Sequence, residues 1–91
     1  MPTIAMLLKV EQDRLVVTLR EAGEELDGTQ SEVVLDFSSI RRVDRPSLHE
    51  MEKFANVAQA KSVKVVLSGV HVEVYRVLKL LKLTERFTFL F

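Results

Sequence analysis

The stretch that decides the fold is Val33-Val34-Leu35-Asp36-Phe37-Ser38-Ser39-Ile40-Arg41-Arg42-Val43-Asp44-Arg45-Pro46-Ser47-Leu48. Its apolar start, residues 33–37, predicts a short buried strand. The polar residues that follow predict a loop. Pro46 is typical of a first helical turn, where the missing backbone N–H would have no partner anyway. Because ligands and partners of open α/β sheets bind beyond the carboxyl ends of the strands, we expect the binding surface of this chain in the loop that follows residue 37.

Outward from this stretch, the sequence predicts a single small domain over residues 1–91. A short polar connection, Glu11-Gln12-Asp13, separates two apolar segments and predicts an antiparallel β-hairpin. Alternating strands and helices then predict a β-α-β-α-β unit, giving an α/β domain with a mixed, partly parallel sheet and helices packed on it. We predict strands at 3–10, 14–20, 33–37, 63–68 and 86–91, and helices at 46–61 and 71–82.

The helix predicted at 71–82 has two faces. Its apolar positions and the one preceding it are expected to lie inward: Val70, Val74, Val77, Leu78 and Leu81. Basic residues recur at helical spacing on the opposite side: Arg76, Lys79 and Lys82.

Two segments resemble the STAS domain family, which includes the anti-sigma-factor antagonists and the cytoplasmic domains of sulphate transporters. VVLDFSSIRRVD at 33–44 is similar to the family's strand ending in Asp and its following loop. VKVVLSGVHVEVYRVLKLLKL at 63–83 is similar to the next strand, Gly-containing loop and helix. The resemblance covers residues 33–91 well and the first 32 poorly. It implies a STAS-like domain that binds another protein and has no catalytic activity.

The chain departs from the family pattern in two elements. The acidic segment 21–32, with Gly23 and Gly28, leaves room for at most two helical turns where the family has a full helix. The family also commonly carries one more helix after the last strand, which we do not expect here. A second copy of the chain could cover the surface that such missing helices leave, so a homodimer is one expectation.

A third departure concerns phosphorylation. The family pattern Asp-Ser-Ser-Gly-Leu corresponds to Asp44-Arg45-Pro46-Ser47-Leu48, which places Pro46 at the usual phosphoacceptor serine. Proline cannot accept a phosphate. Ser47, displaced by about 100° around a helix, is then either a shifted phosphorylation site or a first-turn serine that hydrogen-bonds locally.

The resemblance and the local chemistry together indicate a partner-binding surface at the loop and helix start, near residues 38–49. Asp44 matches the family's partner-facing loop and is also a good helix cap. The three arginines of the loop could bind an acidic partner, a nucleotide phosphate or a lipid headgroup, or could simply be solvated. Asp36 is expected to hold loop N–H groups. The predicted partner-binding residues are Ser39, Arg41, Arg42, Asp44, Arg45, Ser47 and His71.

Composition argues against several other classes of function. The chain has no cysteine and only two histidines, His49 and His71, without metal-ligand spacing, so we expect no metal site and no cofactor. No catalytic motif is present, and we expect no enzyme. The net charge is zero, which gives no general attraction to nucleic acid. No signal-peptide pattern and no apolar run of roughly 18 residues is present, which predicts a cytoplasmic protein that does not insert into a membrane.

The function expected from the sequence is therefore that of an interaction module. In the anti-sigma-factor antagonist interpretation, the partner is an anti-sigma factor or serine kinase. One alternative is a small STAS subunit of an ABC-type transporter complex, which would bind the transporter ATPase. Another is a module that binds a nucleotide or a lipid headgroup.

Overall fold

The computed structural model describes residues 5–91, which form one parallel sheet with helices between its strands. The strands are β1 (Ala5–Lys9), β2 (Glu32–Asp36), β3 (Lys64–Ser68) and β4 (Thr88–Leu90). The helices are α1 (Leu15–Glu25), α2 (Arg45–Ala60) and α3 (Val72–Leu80), and short 3₁₀ turns lie at Gln12–Arg14 and Thr84–Arg86. The predicted α/β fold class is confirmed.

The sheet order is β1-β2-β3-β4, and every pairing is parallel. The expectation of a mixed sheet is therefore wrong for the described residues. The register aligns Leu7 with Val34, Val34 with Val66, and Val66 with Thr88. Each successive strand is added on the same side of the sheet. Right-handed crossovers then place all three helices on one face.

The predicted hairpin is also wrong, because residues 15–20 are helical rather than extended. The β-branched run Val16-Val17-Thr18 favours a strand. The buried residues of α1, however, are Leu15, Leu19 and Ala22, a helical spacing that packs on α2 and overrides the local preference. The first two residues of the strand predicted at 3–10 lie outside the described residues.

The first crossover helix lies earlier than the sequence indicated. Only residues 21–25 of the acidic segment are helical, and α1 takes its other six residues from the segment assigned to a strand. The crossover between β1 and β2 therefore contains a helix of eleven residues, α1, and the expected shortening to at most two turns is wrong. Leu26 directly follows the helix and is buried, so the core continues past its end.

The core lies between the sheet and the helices. Along β2 and its extension, Val33, Leu35 and Phe37 are buried against the helices, while the alternate residues face the other side. On that other side, Leu7 is 73% exposed. No described helix covers this second face of the sheet.

The end of α3 differs from the expectation in one residue. Val74 and Leu78 are buried as predicted, but Leu81 is 52% exposed and not inward. The helix ends at Leu80, and Lys82 adopts a left-handed backbone conformation with φ 59°. The turn therefore directs Leu83, rather than Leu81, into the core.

Across residues 5–91, no helix has both the length and the apolar character needed to cross a membrane.

Candidate functional site

The loop between β2 and α2 is built as a tight turn on the end of the sheet. The backbone N–H of Phe37 donates to Ser68 O at 2.8 Å, which continues the β2–β3 ladder one residue further. Ile40 N then donates to Phe37 O at 2.9 Å and closes the turn. Asp36 Oδ1 accepts from Ser38 N at 2.9 Å, so this carboxylate holds a loop N–H group as expected. Hydrogen bonds from Ser38 lower the pKa of Asp36, and the side chain of Ser38 contributes more to this than its backbone N–H.

The second half of the loop is held by Gln12, which lies 29 residues before Arg41, in the 3₁₀ turn that precedes α1. Its Oε1 accepts from Arg41 N at 2.7 Å and from Arg42 N at 3.2 Å. Its Nε2 donates to Arg42 O at 3.0 Å. One amide side chain therefore satisfies three backbone groups of the loop. Sequence reasoning assigned Gln12 to a hairpin turn and missed this role, because nothing local marks a contact across 30 residues.

Asp44 caps α2. Its Oδ1 accepts from Ser47 N at 3.0 Å, and its carbonyl oxygen accepts from Leu48 N at 2.9 Å. Pro46 lies in the first turn, where its missing N–H leaves no gap in the helix. The hydrogen bonds from Ser47 lower the pKa of Asp44. The cap expected from the sequence is thus present, and it fixes the direction in which α2 leaves the loop.

Ser47 and Pro46 differ sharply in accessibility. Ser47 is only 6% exposed, whereas Pro46, which occupies the family's phosphoacceptor position, is exposed.

His71 links this loop to the neighbouring one. Its Nε2 lies 2.9 Å from Ser38 O, and His71 is itself the residue before α3. Gly69, two residues earlier, has a φ of 67°, and a Cβ on it would lie 3.1 Å from Ser38 Cβ. A glycine is needed here both for its backbone conformation and for the close approach of Ser38. The β2–α2 and β3–α3 loops therefore form one packed surface.

The predicted partner-binding residues fall into exposed and supporting groups. Arg41, Arg42 and Arg45 are exposed, and within residues 5–91 their side chains form no ion pair. Ser39 and His71 are partly buried, and Ser47 is buried. The structure brings the residues of the loop and His71 onto one surface, and the arginines give this surface a positive charge.

A shallow groove runs beside the helix start, between it and α1. It has a volume of about 330 Å³ and is lined by Gln12, Asp13, Leu15, Val16, Val17, Arg42, Asp44 and Ser47. The groove has an apolar side on α1 and a polar side on the loop. In the described part of the chain, no cluster of three or more potential metal ligands is found.

Solved structures share this architecture at low sequence identity. A sulfate transporter family protein from Wolinella succinogenes matches with a TM-score of 0.81 and 17% identity, over 97% of this chain and 78% of that one. A protein described as an anti-sigma factor antagonist, from Thermotoga maritima, matches with a TM-score of 0.73 and 17% identity, over 100% and 75% of the two chains. The SulP transporter STAS domain from Vibrio cholerae matches with a TM-score of 0.70 and 14% identity, over 98% and 75%.

These structural similarities, at identities this low, establish the fold. Among curated proteins, none matches this chain in sequence. The family model described as STAS domain matches residues 8–91, which includes every strand-to-helix loop discussed above. The chain therefore belongs to the STAS domain family.

Proposed function

We propose that this STAS domain is a non-catalytic interaction module of the anti-sigma-factor antagonist type, which acts in the cytoplasm. Its binding surface consists of the loop and helix start at residues 38–49, with His71 beside them. The observation that carries the proposal is the combination of a fixed backbone with free cationic side chains. Gln12, Asp36 and His71 hold the loop, while Arg41, Arg42 and Arg45 remain exposed.

Such a surface is suited to an acidic protein partner. A loop that is already ordered loses little conformational entropy when it binds, so more of the contact energy appears as affinity. Arginine is enriched at protein interfaces and forms paired hydrogen bonds with carboxylates. An anti-sigma factor or serine kinase with an acidic docking surface fits this chemistry.

The first turn of α2 favours binding that phosphorylation does not control. Pro46 stands where a phosphoacceptor serine would lie, and Ser47 is almost fully buried. Phosphorylation of Ser47 would therefore require local opening of the helix. We propose that the module binds its partner constitutively.

The presence of Pro46 at the phosphoacceptor position also supports a second candidate. This candidate is a small STAS subunit of an ABC-type transporter complex that binds the transporter ATPase. A structural subunit of this kind has no need of a phosphoacceptor. In this case too, the contact surface would be the start of α2 and the loop before it, which we call the arginine loop because Arg41, Arg42 and Arg45 are exposed along it.

An affinity pull-down from lysate of the native organism, read by mass spectrometry, tests the proposal. Wild type is compared with Arg41→Glu and Arg42→Glu, which reverse exposed charges without breaking a described side-chain contact. Lys64→Glu is the matched control, because it makes the same charge change on an exposed β3 residue that faces away from the helices. A thermal unfolding curve of each variant checks that the fold is retained.

The identity of the captured protein separates the candidates. A serine kinase or sigma regulator, lost with both arginine variants and kept with Lys64→Glu, supports the antagonist function. A transporter ATPase with the same dependence supports the transporter function instead. Equal recovery by all variants contradicts the proposed surface. If no protein is recovered specifically, a thermal-shift panel of nucleotides and lipid headgroups tests the remaining alternative.

A further inference from the structure

The outer face of α3 combines exposed apolar and basic side chains. Leu80 is 82% exposed, and Val72 is 62% exposed. Arg76, Lys79 and Lys82 are exposed beside them. We call these five residues the α3 patch. The patch lies on α3, whereas the arginine loop precedes α2. The inference drawn from the patch does not depend on the function proposed for that loop.

The arrangement of the patch follows from helical spacing. At 100° per residue, Val72, Arg76, Lys79 and Leu80 fall within an arc of roughly 100°. The opposite side of the helix carries Val74 and Leu78, which are buried in the core. These four residues of the patch therefore face outward together, along a helix of nine residues, and Lys82 follows just beyond its end.

The basic side chains of the patch outnumber its acids. No described residue forms an ion pair or a side-chain hydrogen bond with them. Glu73 is the one acid of α3; it lies in the first turn, three residues before Arg76, and forms no ion pair with it. The patch thus presents exposed Val72 and Leu80 next to three positive charges and one negative charge.

From this combination we propose that the α3 patch binds the surface of an anionic lipid bilayer. Leu80 would enter the boundary between headgroups and acyl chains, and the long basic side chains would reach the lipid phosphates. A protein partner fits less well, because lysine is depleted at protein interfaces but enriched on the polar sides of membrane-surface helices. The contact is peripheral and involves no spanning segment.

The expected strength is modest. Each basic side chain near an anionic surface strengthens binding about fivefold, so three strengthen it about a hundredfold. Since the attraction acts over about 10 Å at moderate ionic strength, it should weaken as salt is added.

Vesicle flotation tests this proposal with the intact chain. The vesicles contain phosphatidylcholine alone or phosphatidylcholine with phosphatidylglycerol, at low and at high salt. Wild type is compared with Lys79→Glu and Leu80→Ser, both at exposed positions that leave the core unchanged. Lys64→Glu is the charge-matched control on the opposite face of the sheet. We expect wild type and Lys64→Glu to float with the anionic vesicles at low salt only, and the two patch variants to bind at least fivefold less.

A fluorescence measurement locates the contact. The sequence contains no tryptophan, so Leu80→Trp introduces a single reporter in the patch, and Leu7→Trp introduces one on the exposed sheet face. Anionic vesicles should shift the emission of Leu80→Trp to the blue and leave Leu7→Trp unchanged. Absence of flotation, equal flotation with neutral vesicles, or equal loss in Lys64→Glu overturns the proposal. If the protein does not float with any vesicles, an acidic protein becomes the expected partner of the patch.

Discussion

Oε1 of Gln12 accepts a hydrogen bond from the backbone nitrogen of Arg41 at 2.7 Å, although 29 residues separate them in the sequence. Through this contact and two more to Arg42, the turn before α1 determines the conformation of the loop before α2. The proposed binding surface is therefore supported from outside its own strand-loop-helix unit.

Removing the Gln12 side chain should loosen the loop with little effect on the fold. We expect Gln12→Ala to cost about 1 kcal/mol in unfolding free energy and to speed amide hydrogen exchange at Arg41 and Arg42. Gln12→Glu is the comparison variant, because a carboxylate still accepts from both N–H groups, whereas its second oxygen replaces the donor to Arg42 O and repels that carbonyl oxygen. Unchanged exchange at these two amides in Gln12→Ala would show that the contact does not order the loop.

The contact of Gly69 with Ser38 can be separated from its backbone conformation. Gly69 and Gly28 both have positive φ, but a Cβ on Gly28 would meet nothing within 4 Å. Gly28→Ala should therefore cost about 1 kcal/mol for backbone conformation alone. Gly69→Ala should cost more, about 2 kcal/mol, because its Cβ also presses on Ser38. Urea unfolding of both variants measures the difference, and equal values would mean that Ser38 moves aside freely.

Glu50 joins the two helices beside the site. It is buried on α2, and its Oε1 lies 3.2 Å from Arg20 Nη2 of α1 and 3.7 Å from Lys53 Nζ. Because both cations are more than half exposed, we expect a double-mutant cycle of Glu50→Gln and Arg20→Ala to give a coupling of about 0.5–1 kcal/mol. The coupling should shrink when salt is added. A coupling near zero at low salt would show that Glu50 is buried for packing alone.

Acid should weaken the α2 cap. The pKa of Asp44 is lower in the folded chain than its usual value of about 3.9. Its contribution to stability is therefore present above that value and is lost as pH falls through the folded pKa. Asp44→Asn keeps a capping side chain without the charge. Thermal unfolding from neutral to acid pH should show wild type more stable at neutral pH, with the difference between the two proteins shrinking as pH falls below the usual carboxyl pKa. A constant difference at all pH values would contradict this role of the carboxylate.

Because Ser47 is buried, substitutions at this position test whether phosphorylation controls binding. Ser47→Ala should keep partner binding, since the hydroxyl is not on the exposed surface, and should lower stability slightly, because the hydroxyl hydrogen-bonds to Asp44. Ser47→Glu places a carboxylate where little solvent reaches, and we expect a loss of about 2 kcal/mol. Intact mass measurement of protein purified from its own organism tests modification directly. A phosphate on Ser47 together with unchanged stability of Ser47→Glu would contradict the constitutive binding proposed above.

Self-association remains a prediction. The second face of the sheet carries the row Leu7, Val34 and Val66, of which Leu7 is 73% exposed, Val34 is half-buried and Val66 is buried. Light scattering of concentrated protein measures the mass in solution, and a monomer at all concentrations would count against a homodimer.

Much of the fold from residue 32 onward could be predicted from local pattern. The apolar run ending at Asp36, the cap at Asp44 and the helical spacing of α2 each depend on neighbours within one or two turns. Such features are encoded by residues close together in the chain, so the sequence by itself determined the second half of the sheet and the place of the candidate loop. It also determined the absence of thiol chemistry, since no cysteine is present.

Tertiary packing alone decided the conformation of residues 15–20 and the contacts that hold the loop before α2. Residues 15–20 combine β-branched side chains with a helical spacing of leucines, and only packing against α2 selects the helix. Gln12 reaches Arg41, and Arg20 reaches Glu50, across about thirty residues of sequence. No local preference encodes such contacts, because their energy exists only after the crossovers have brought α1, α2 and the loop together. Which residues hold the arginine loop in place was therefore decided by the tertiary structure.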